Sequence, residues 1–459
     1  MVKPVSIGSE ELFTKLWVNE TFRVFYDRLI NDDDRKWFKD IIIELMQRNF
    51  KQAADPNDIF VENKIMFGDL LKLDSPIQYY ECITDKVKLL KILHGGLDEY
   101  NMSNSSKMNL VLFDDALEHI LRIARVLKQP RGHIMLIGVG GSGKQSLIKL
   151  CTFMRQMEFR MIEINKGFDI NSFKEKMKEY MKESGIEGKG LSFTITDTQI
   201  IEESFIENLN NLLNTGEIPN LMVAEDREEI TNGVRPVCIQ QKILDTVDNI
   251  AALFVSRIRE FLHICLCMSP VGDTLRVRCR QFPSLVNCCT LDWFARWPEE
   301  ALLFVSKEFL KELPDVEENI KEGLSEMCMK IHISVEEVSA MFWDSLRRRV
   351  YTTPKSYLDL ISLYLQVLEE KRTEFHNNKS RLANGLSKLT EANKEIAELN
   401  IKLTEMRPVL ITKNEELKVA LVKVNADKEI ADAKEKVVSA EAEVVNKKAA
   451  EAQAIADDA

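Results

Sequence analysis

Apolar and polar positions follow two regimes along this chain, and the change falls near residue 380. Beyond it, apolar residues recur at Leu386, Leu389, Ile396, Leu399, Leu403, Met406, Leu410, Leu417, Leu421 and Val424. Steps of three and four residues sustained over many turns predict a coiled-coil helix. At ~1.5 Å per residue, roughly 78 residues make a rod of about 115 Å. The seam weakens toward Ala431, Val438, Ala442 and Val445, and Pro408 removes a backbone donor, which predicts a kink or local break there. A helix with such a seam requires a partner strand. None of similar length occurs earlier, so the partner is either another chain or a returning segment, and the expectation is a piece of a larger protein.

Before residue 380 the pattern is of short apolar runs alternating with helical periodicity. "HIMLIG" (His133 to Gly138), "LSFTIT" (Leu191 to Thr196) and "HICLCMS" (His263 to Ser269) read as buried strands. "QSLIKLCTFM" and Glu202 to Leu213 read as helices, which together predict an α/β fold around a mostly parallel sheet. Residues 1 to about 125 read as helix-rich, with "NDDDRKWF" a solvated turn and helix start. The stretch from about 300 to 375 reads as a helical subdomain.

Composition narrows the class. With 459 residues, of which 45% are hydrophobic, the chain exceeds one ordinary core, and length predicts roughly two to four domains. The net charge of −11 argues against a general nucleic-acid binder. No apolar h-region opens the chain and no run of about 18 apolar residues occurs, so neither a secretory signal nor a membrane span is expected. The nine cysteines, Cys265 and Cys267 or Cys288 and Cys289 among them, have no zinc-site or framework spacing, so buried reduced thiols are expected.

The chemistry centres on "GVGGSGKQS". A strand, a glycine loop and a helix follow one another, the context in which successive backbone N–H groups and a helix N-terminus hold phosphate. Gly138, Gly140, Gly141, Ser142, Gly143 and Lys144 fit G-x-x-x-x-G-K, with Lys144 reaching the β- and γ-phosphates. The Ser or Thr that usually ligates Mg²⁺ is Gln145 instead, and a serine arrives one place late at Ser146. ATP or ADP is therefore expected, with Mg²⁺ held weakly by Gln145 or Ser146, or not at all. A second motif should be an acid pair at a strand end. "LSFTITDTQI" offers only Asp197, flanked by Thr196 and Thr198, and spacing does not decide which acid of the pair it is. One carboxylate is missing either way, which predicts slow hydrolysis.

The stretches "QPRGHIMLIGVGGSGKQSLIKL", "TDTQIIEESFIENLNNLLNTGEIPNL", "SPVGDTLRVRCRQFPSLVNCCTLDWFARWPEEAL" and "YTTPKSYLDLISLYLQVLEEKR" together resemble the dynein heavy chain, specifically its fourth AAA+ module followed by the outgoing helix of the microtubule-binding stalk. "LWVNETFRVFYDRL" resembles the tail of the preceding module, and "GVGGSGKQSL" with "TDTQI" is more similar to axonemal than cytoplasmic dyneins. The resemblance implies an AAA+ P-loop fold with this organisation: residues 1–100 ending the preceding module and linking onward, 101–300 a nucleotide-binding large subdomain, 301–380 a small helical subdomain and 381–459 the start of the stalk. It implies, by counting back from "FIENLNNLL", that Asp197 stands in the Glu slot and Thr196 in the Asp slot. It places Ser269 in the sensor 1 slot, Lys355 in the sensor 2 slot and Cys288 where an arginine finger would be offered to the neighbouring site, with Arg276, Arg278 and Arg280 near that slot but not in it. It implies as partners the other AAA+ modules of the same heavy chain, the returning stalk helix, a microtubule and other dynein chains, with no nucleic acid or membrane. It implies a place in the cytoplasm and cytoskeleton, in a ciliary or flagellar axoneme. Two rivals remain: a structural AAA+ module with an empty loop, and a coiled-coil ATPase of the chromosome-structure type, in which the acidic strand follows the coil rather than preceding it.

Overall fold

The computed structural model describes residues 3–4, 9–50, 59–60, 65–72, 78–311 and 313–456. Chain contacts divide it into two units, Met1–Tyr364 and Leu365–Ala459.

The first unit is built on a five-stranded sheet: β1 (His133–Ile137), β2 (Glu158–Met161), β3 (Leu191–Thr196), β4 (Leu262–Met268) and β5 (Cys289–Trp293). Its order is β2-β3-β4-β1-β5 and every pairing is parallel. Parallel strands are joined by helical crossovers that cover both faces, so their central members read as unbroken apolar runs. In β1, Ile134 and Leu136 join one core with Leu147, Ile148, Cys265 and Cys267, while Met135 and Ile137 face the other, with Phe173, Phe193 and Phe205. Burial pushes the Cys265 and Cys267 thiols up to about 12. The expected strands at 133, 191 and 263 are present. The edge strands β2 and β5 escape the apolar pattern because β2 carries Glu158 and Arg160 and β5 carries Asp292.

Parallel pairing puts all the strand carboxyl ends at one edge. There the loop after Ile137, the turn after Thr196 and the bend after Met268 meet, the usual place for a ligand in such sheets. The register pairs Ile137 with Met268 and with Trp293, and Thr196 with Cys267.

The first hundred residues contain the helices Glu10–Val24, Asp32–Phe50 and Lys86–Ser103. They also carry a three-stranded sheet of Lys3–Pro4, Tyr79–Cys82 and Phe67–Gly68, which no apolar run announces. After β5 come the helices Glu299–Lys311 and Glu318–Leu346. A further helix, Pro354–Ala456, begins in the first unit and makes up the described part of the second. Its start is pinned by the fully buried Tyr357, whose hydroxyl donates to the Leu302 carbonyl at 2.9 Å.

The helix runs on through Pro408, so the expected local break does not occur. Proline withdraws a single N–H from the ladder, and every side chain around it is exposed, so water can satisfy the freed carbonyl. The seam residues are exposed along the second unit, Leu386 by 68% and Leu403 by 63%. Residues 457–459 of the expected coil lie outside the described residues. Among the described residues, no helix is long and apolar enough to cross a membrane.

Candidate nucleotide site

The loop after β1 has the geometry its glycines predict. Gly143 has φ +84° and caps the helix Lys144–Met154 in a left-handed conformation. Gly141 has φ +76°, and a Cβ there would fall 2.5 Å from the Cβ of Lys355. Both positions exclude a side chain, one by conformation and the other by conformation and space together. The expected Lys355 thus stands beside the loop, one residue into the helix that begins at Pro354.

Lys144 opens the helix after the loop and is 9% exposed. Its Nζ donates to the carbonyls of Gly138 and Val139, both at 2.7 Å, and to Ser142 Oγ at 2.9 Å. Burial lowers its pKa, and Asp197 pulls the other way. A buried ammonium held only by neutral oxygens is poised to exchange them for an anion, since charge-assisted bonds are the stronger ones. Gln145 is exposed and Ser146 half-buried on the first helical turn.

Thr196 ends β3. Its Oγ1 lies 3.0 Å from Thr198 Oγ1, and Gln199 Oε1 accepts from the Thr196 N–H at 2.9 Å. The Thr196 hydroxyl is therefore engaged locally. Asp197 follows, and its carboxylate accepts from the Ser269 N–H and from Arg278 Nη1, the latter at 3.2 Å. Burial pushes the Asp197 carboxyl above its usual value, against the pull of Ser269, Arg278 and Lys144. Ser269 Oγ accepts from the Val271 N–H at 3.3 Å, which leaves its proton free to donate.

The expected residues at 138–146, 196–197, 269 and 355 thus converge from separate elements on the carboxyl edge of the sheet. Cys288 stands apart from them, in the turn before β5.

A cavity of about 420 Å³ opens on the loop. Gly141, Ser142, Gly143 and Leu147 form part of its wall, with Phe113 and Trp297, whose rings meet edge to face at 5.0 Å. Beside it lies a charged network. Asp292, fully buried on β5, accepts from Arg122 Nη1 at 2.7 Å, and His119 Nδ1 lies 2.8 Å from its other oxygen. Burial would raise the Asp292 carboxyl, but His119 and Arg122 hold it well below the usual carboxylate range. The His119 ring stacks on Phe294 at 3.9 Å.

Sequence reasoning missed Arg278 as a partner of Asp197, and missed His119, Arg122 and Asp292 altogether. A signal for Arg278 existed: it follows Leu275 by three residues, so both lie on one face of the helix Thr274–Gln281, and both are buried. Nothing local marks Asp292, whose partners are more than 160 positions away.

The donors available to a divalent cation are sparse. Among the described residues no group of three or more His, Cys, Asp or Glu side chains could hold a metal ion. Gln145 and Ser146 offer neutral oxygens, and the Asp197 carboxylate is engaged by Arg278. This set suits a metal brought in on a nucleotide's phosphates and does not suit a resident ion.

Comparison with known proteins agrees with this geometry. A family model described as "P-loop containing dynein motor region D4" matches residues 108–367, which span β1 to β5, the loop and the start of the helix at Pro354. Over 459 aligned residues the chain is 42% identical to dynein axonemal heavy chain 6 of Homo sapiens, covering 99% of this chain and 11% of that protein. It is 39% identical to dynein axonemal heavy chain 1 of Mus musculus, covering 100% of this chain and 11% of the relative. Against the flagellar outer arm dynein beta chain of Chlamydomonas reinhardtii it is 38% identical, over 91% of this chain and 9% of that one. The chain therefore spans about a tenth of the length of these relatives. With a matching motor-region model across more than half its residues and a phosphate-loop sheet of the AAA+ kind, the chain belongs to the dynein heavy chain family, in a sequence like those of its axonemal members.

Proposed function

We propose that this chain is the fourth AAA+ module of an axonemal dynein heavy chain, with the end of the third before it and the outgoing stalk helix after it. It binds ATP or ADP, hydrolyses ATP slowly, and passes the state of the site into the helix Pro354–Ala456. The observation that carries this reading is the loop itself: the Lys144 ammonium rests on loop carbonyls beside a cavity large enough for a nucleoside, within reach of the charge of Asp197.

In this reading the loop N–H groups and Lys144 hold the phosphates, and Phe113 and Trp297 flank the base. A magnesium ion arriving with the phosphates would neutralise part of their charge. Hydrolysis joins a water oxygen to the γ-phosphorus and breaks the bond to the β-phosphate's bridging oxygen. The water's proton passes toward Asp197, and ADP and phosphate leave. Asp197 is one carbon shorter than Glu and Thr196 is not an acid. Misplacement of a base by about an angstrom costs on the order of a hundredfold, so the step is slow.

The names of the relatives, axonemal heavy chains and a flagellar outer arm chain, support an axonemal setting. In this reading the partners are the other modules of one heavy chain, other dynein chains and a returning stalk helix that pairs with the exposed seam. Through the stalk tip the partner is a microtubule. No nucleic acid or membrane enters.

Equilibrium binding of a fluorescent ATP analogue tests the reading. Lys144→Ala should weaken binding by about 30- to 150-fold, because a charge-assisted contact to phosphate contributes about 2–3 kcal/mol, with the circular dichroism spectrum unchanged. Equal affinity in the two proteins would remove Lys144 from the site and favour a structural module with an empty loop.

A further inference from the structure

Asp197, Arg278 and Glu203 come from three different elements: the turn after β3, the helix Thr274–Gln281 and the first residue of the helix Glu203–Thr215. Arg278 is the buried member, with 9% of its side chain exposed against 29% for Asp197 and 53% for Glu203. Its Nε and Nη2 donate to Glu203 Oε1 at 3.0 and 2.8 Å, and its Nη1 donates to Asp197 Oδ1 at 3.2 Å. The other Asp197 oxygen accepts from the Ser269 N–H. Each Asp197 oxygen therefore already accepts a hydrogen bond from the protein.

From this geometry we infer that Arg278 is a positioning residue that acts as a brake: with Ser269 it clamps the Asp197 carboxylate and withholds it from the attacking water. The inference rests on the nucleotide-binding reading above and explains more of the slow turnover than the missing acid does alone. The Nη1–H of Arg278 favours the anionic carboxylate of Asp197 and fixes its direction, while the Nε and Nη2 edge is engaged by Glu203 and anchors the guanidinium. A general base needs a free oxygen within hydrogen-bond reach of the proton it takes. Because Arg278 is buried it cannot simply swing into water, so the clamp holds as long as the carboxylates do. Glu203 competes for the same guanidinium and sets how tightly Asp197 is held.

The test is single-turnover ATP hydrolysis by the 459-residue chain, with affinity for a fluorescent ATP analogue measured alongside. Arg278→Ala should hydrolyse about tenfold faster, a fraction of the 10²–10⁴ available to a general base, with affinity altered less than about twofold. Adding Asp197→Asn should cancel the gain. Glu203→Gln leaves Arg278 to Asp197 alone and should slow hydrolysis by about threefold. A purely structural arginine would give losses in both single variants, not opposite signs. If Arg278→Ala does not fold, Glu203→Gln decides, since that side chain is half in solvent. Normal binding with no faster hydrolysis in Arg278→Ala, or no slowing in Glu203→Gln, overturns the brake alone. Failure of the unmodified chain to bind the analogue overturns the nucleotide reading and the brake with it.

Discussion

The side chain of Asp292 is fully buried on β5, and its carboxylate meets the Arg122 guanidinium and the ring of His119. Removing one partner of a buried ion pair strands the other, so Asp292→Ala should cost about 3–5 kcal/mol in urea unfolding of the first unit. The sign with pH follows from the lowered Asp292 pKa. The carboxylate's contribution is complete above the unfolded value of about 4 and is lost as pH falls through the lower folded value. The gap between the parent and Asp292→Ala should not shrink as pH falls from 8 to 6 and should shrink well below pH 4. A gap that shrinks already between pH 8 and 6 would contradict the pairing. Gly141 is the second residue with a sharp consequence. With φ +76° and the Lys355 Cβ in the way, Gly141→Ala should destabilise the loop by about 1–2 kcal/mol and weaken ATP-analogue binding about tenfold or more. Unaltered affinity would mean that the loop can relax without disturbing the site.

At the scale of elements, the helix Pro354–Ala456 carries its apolar positions into solvent through the second unit, with Leu389 at 64% and Leu403 at 63% exposed. An exposed stripe of this length seeks cover. A peptide of residues 382–456 should self-associate in sedimentation, and Leu389→Asp with Leu403→Asp should abolish this. A fully helical, monodisperse parent peptide would refute the seam as a pairing face. Pro408 costs the same helix one hydrogen bond and a steric clash, about 3 kcal/mol in a helix interior. Pro408→Ala should accordingly raise the peptide's helix content and melting midpoint.

At the scale of the molecule, the loop, Lys144, Asp197, Ser269 and Lys355 all lie in the unit Met1–Tyr364. A ligand that binds only the folded site adds RT ln(1 + [L]/Kd) of stability, about 2.7 kcal/mol at a hundredfold excess over Kd. ADP should therefore raise the thermal transition of this unit by several degrees and leave that of residues 365–456 in place. A nucleotide-dependent shift confined to the coil would contradict the assignment of the site. The ion pairs of Arg155 with Asp69 and of Arg125 with Glu20 tie the first hundred residues to the helices that flank the sheet, which is why one transition is expected for the unit.

What local sequence determined here is whatever depends on neighbours along the chain. The strand–loop–helix context of Lys144, the seam from Leu386 to Val424 and the central strands β1, β3 and β4 are set by periodicity and by residues within a few positions, and the structure has all of them. The edge strands β2 and β5 were hidden because polar residues interrupt their apolar pattern. Pro408 removes a donor, but the turns on either side keep the helix continuous, so the local break expected from the sequence is absent. Only tertiary structure decided who meets whom. Asp197 finds Arg278 across 81 positions, Asp292 finds Arg122 across 170, and Gly141 meets Lys355 because a distant helix begins beside the loop. Such pairings depend on burial and on parallel strand order, which gather distant residues at one edge of a sheet, and no spacing along the chain encodes them.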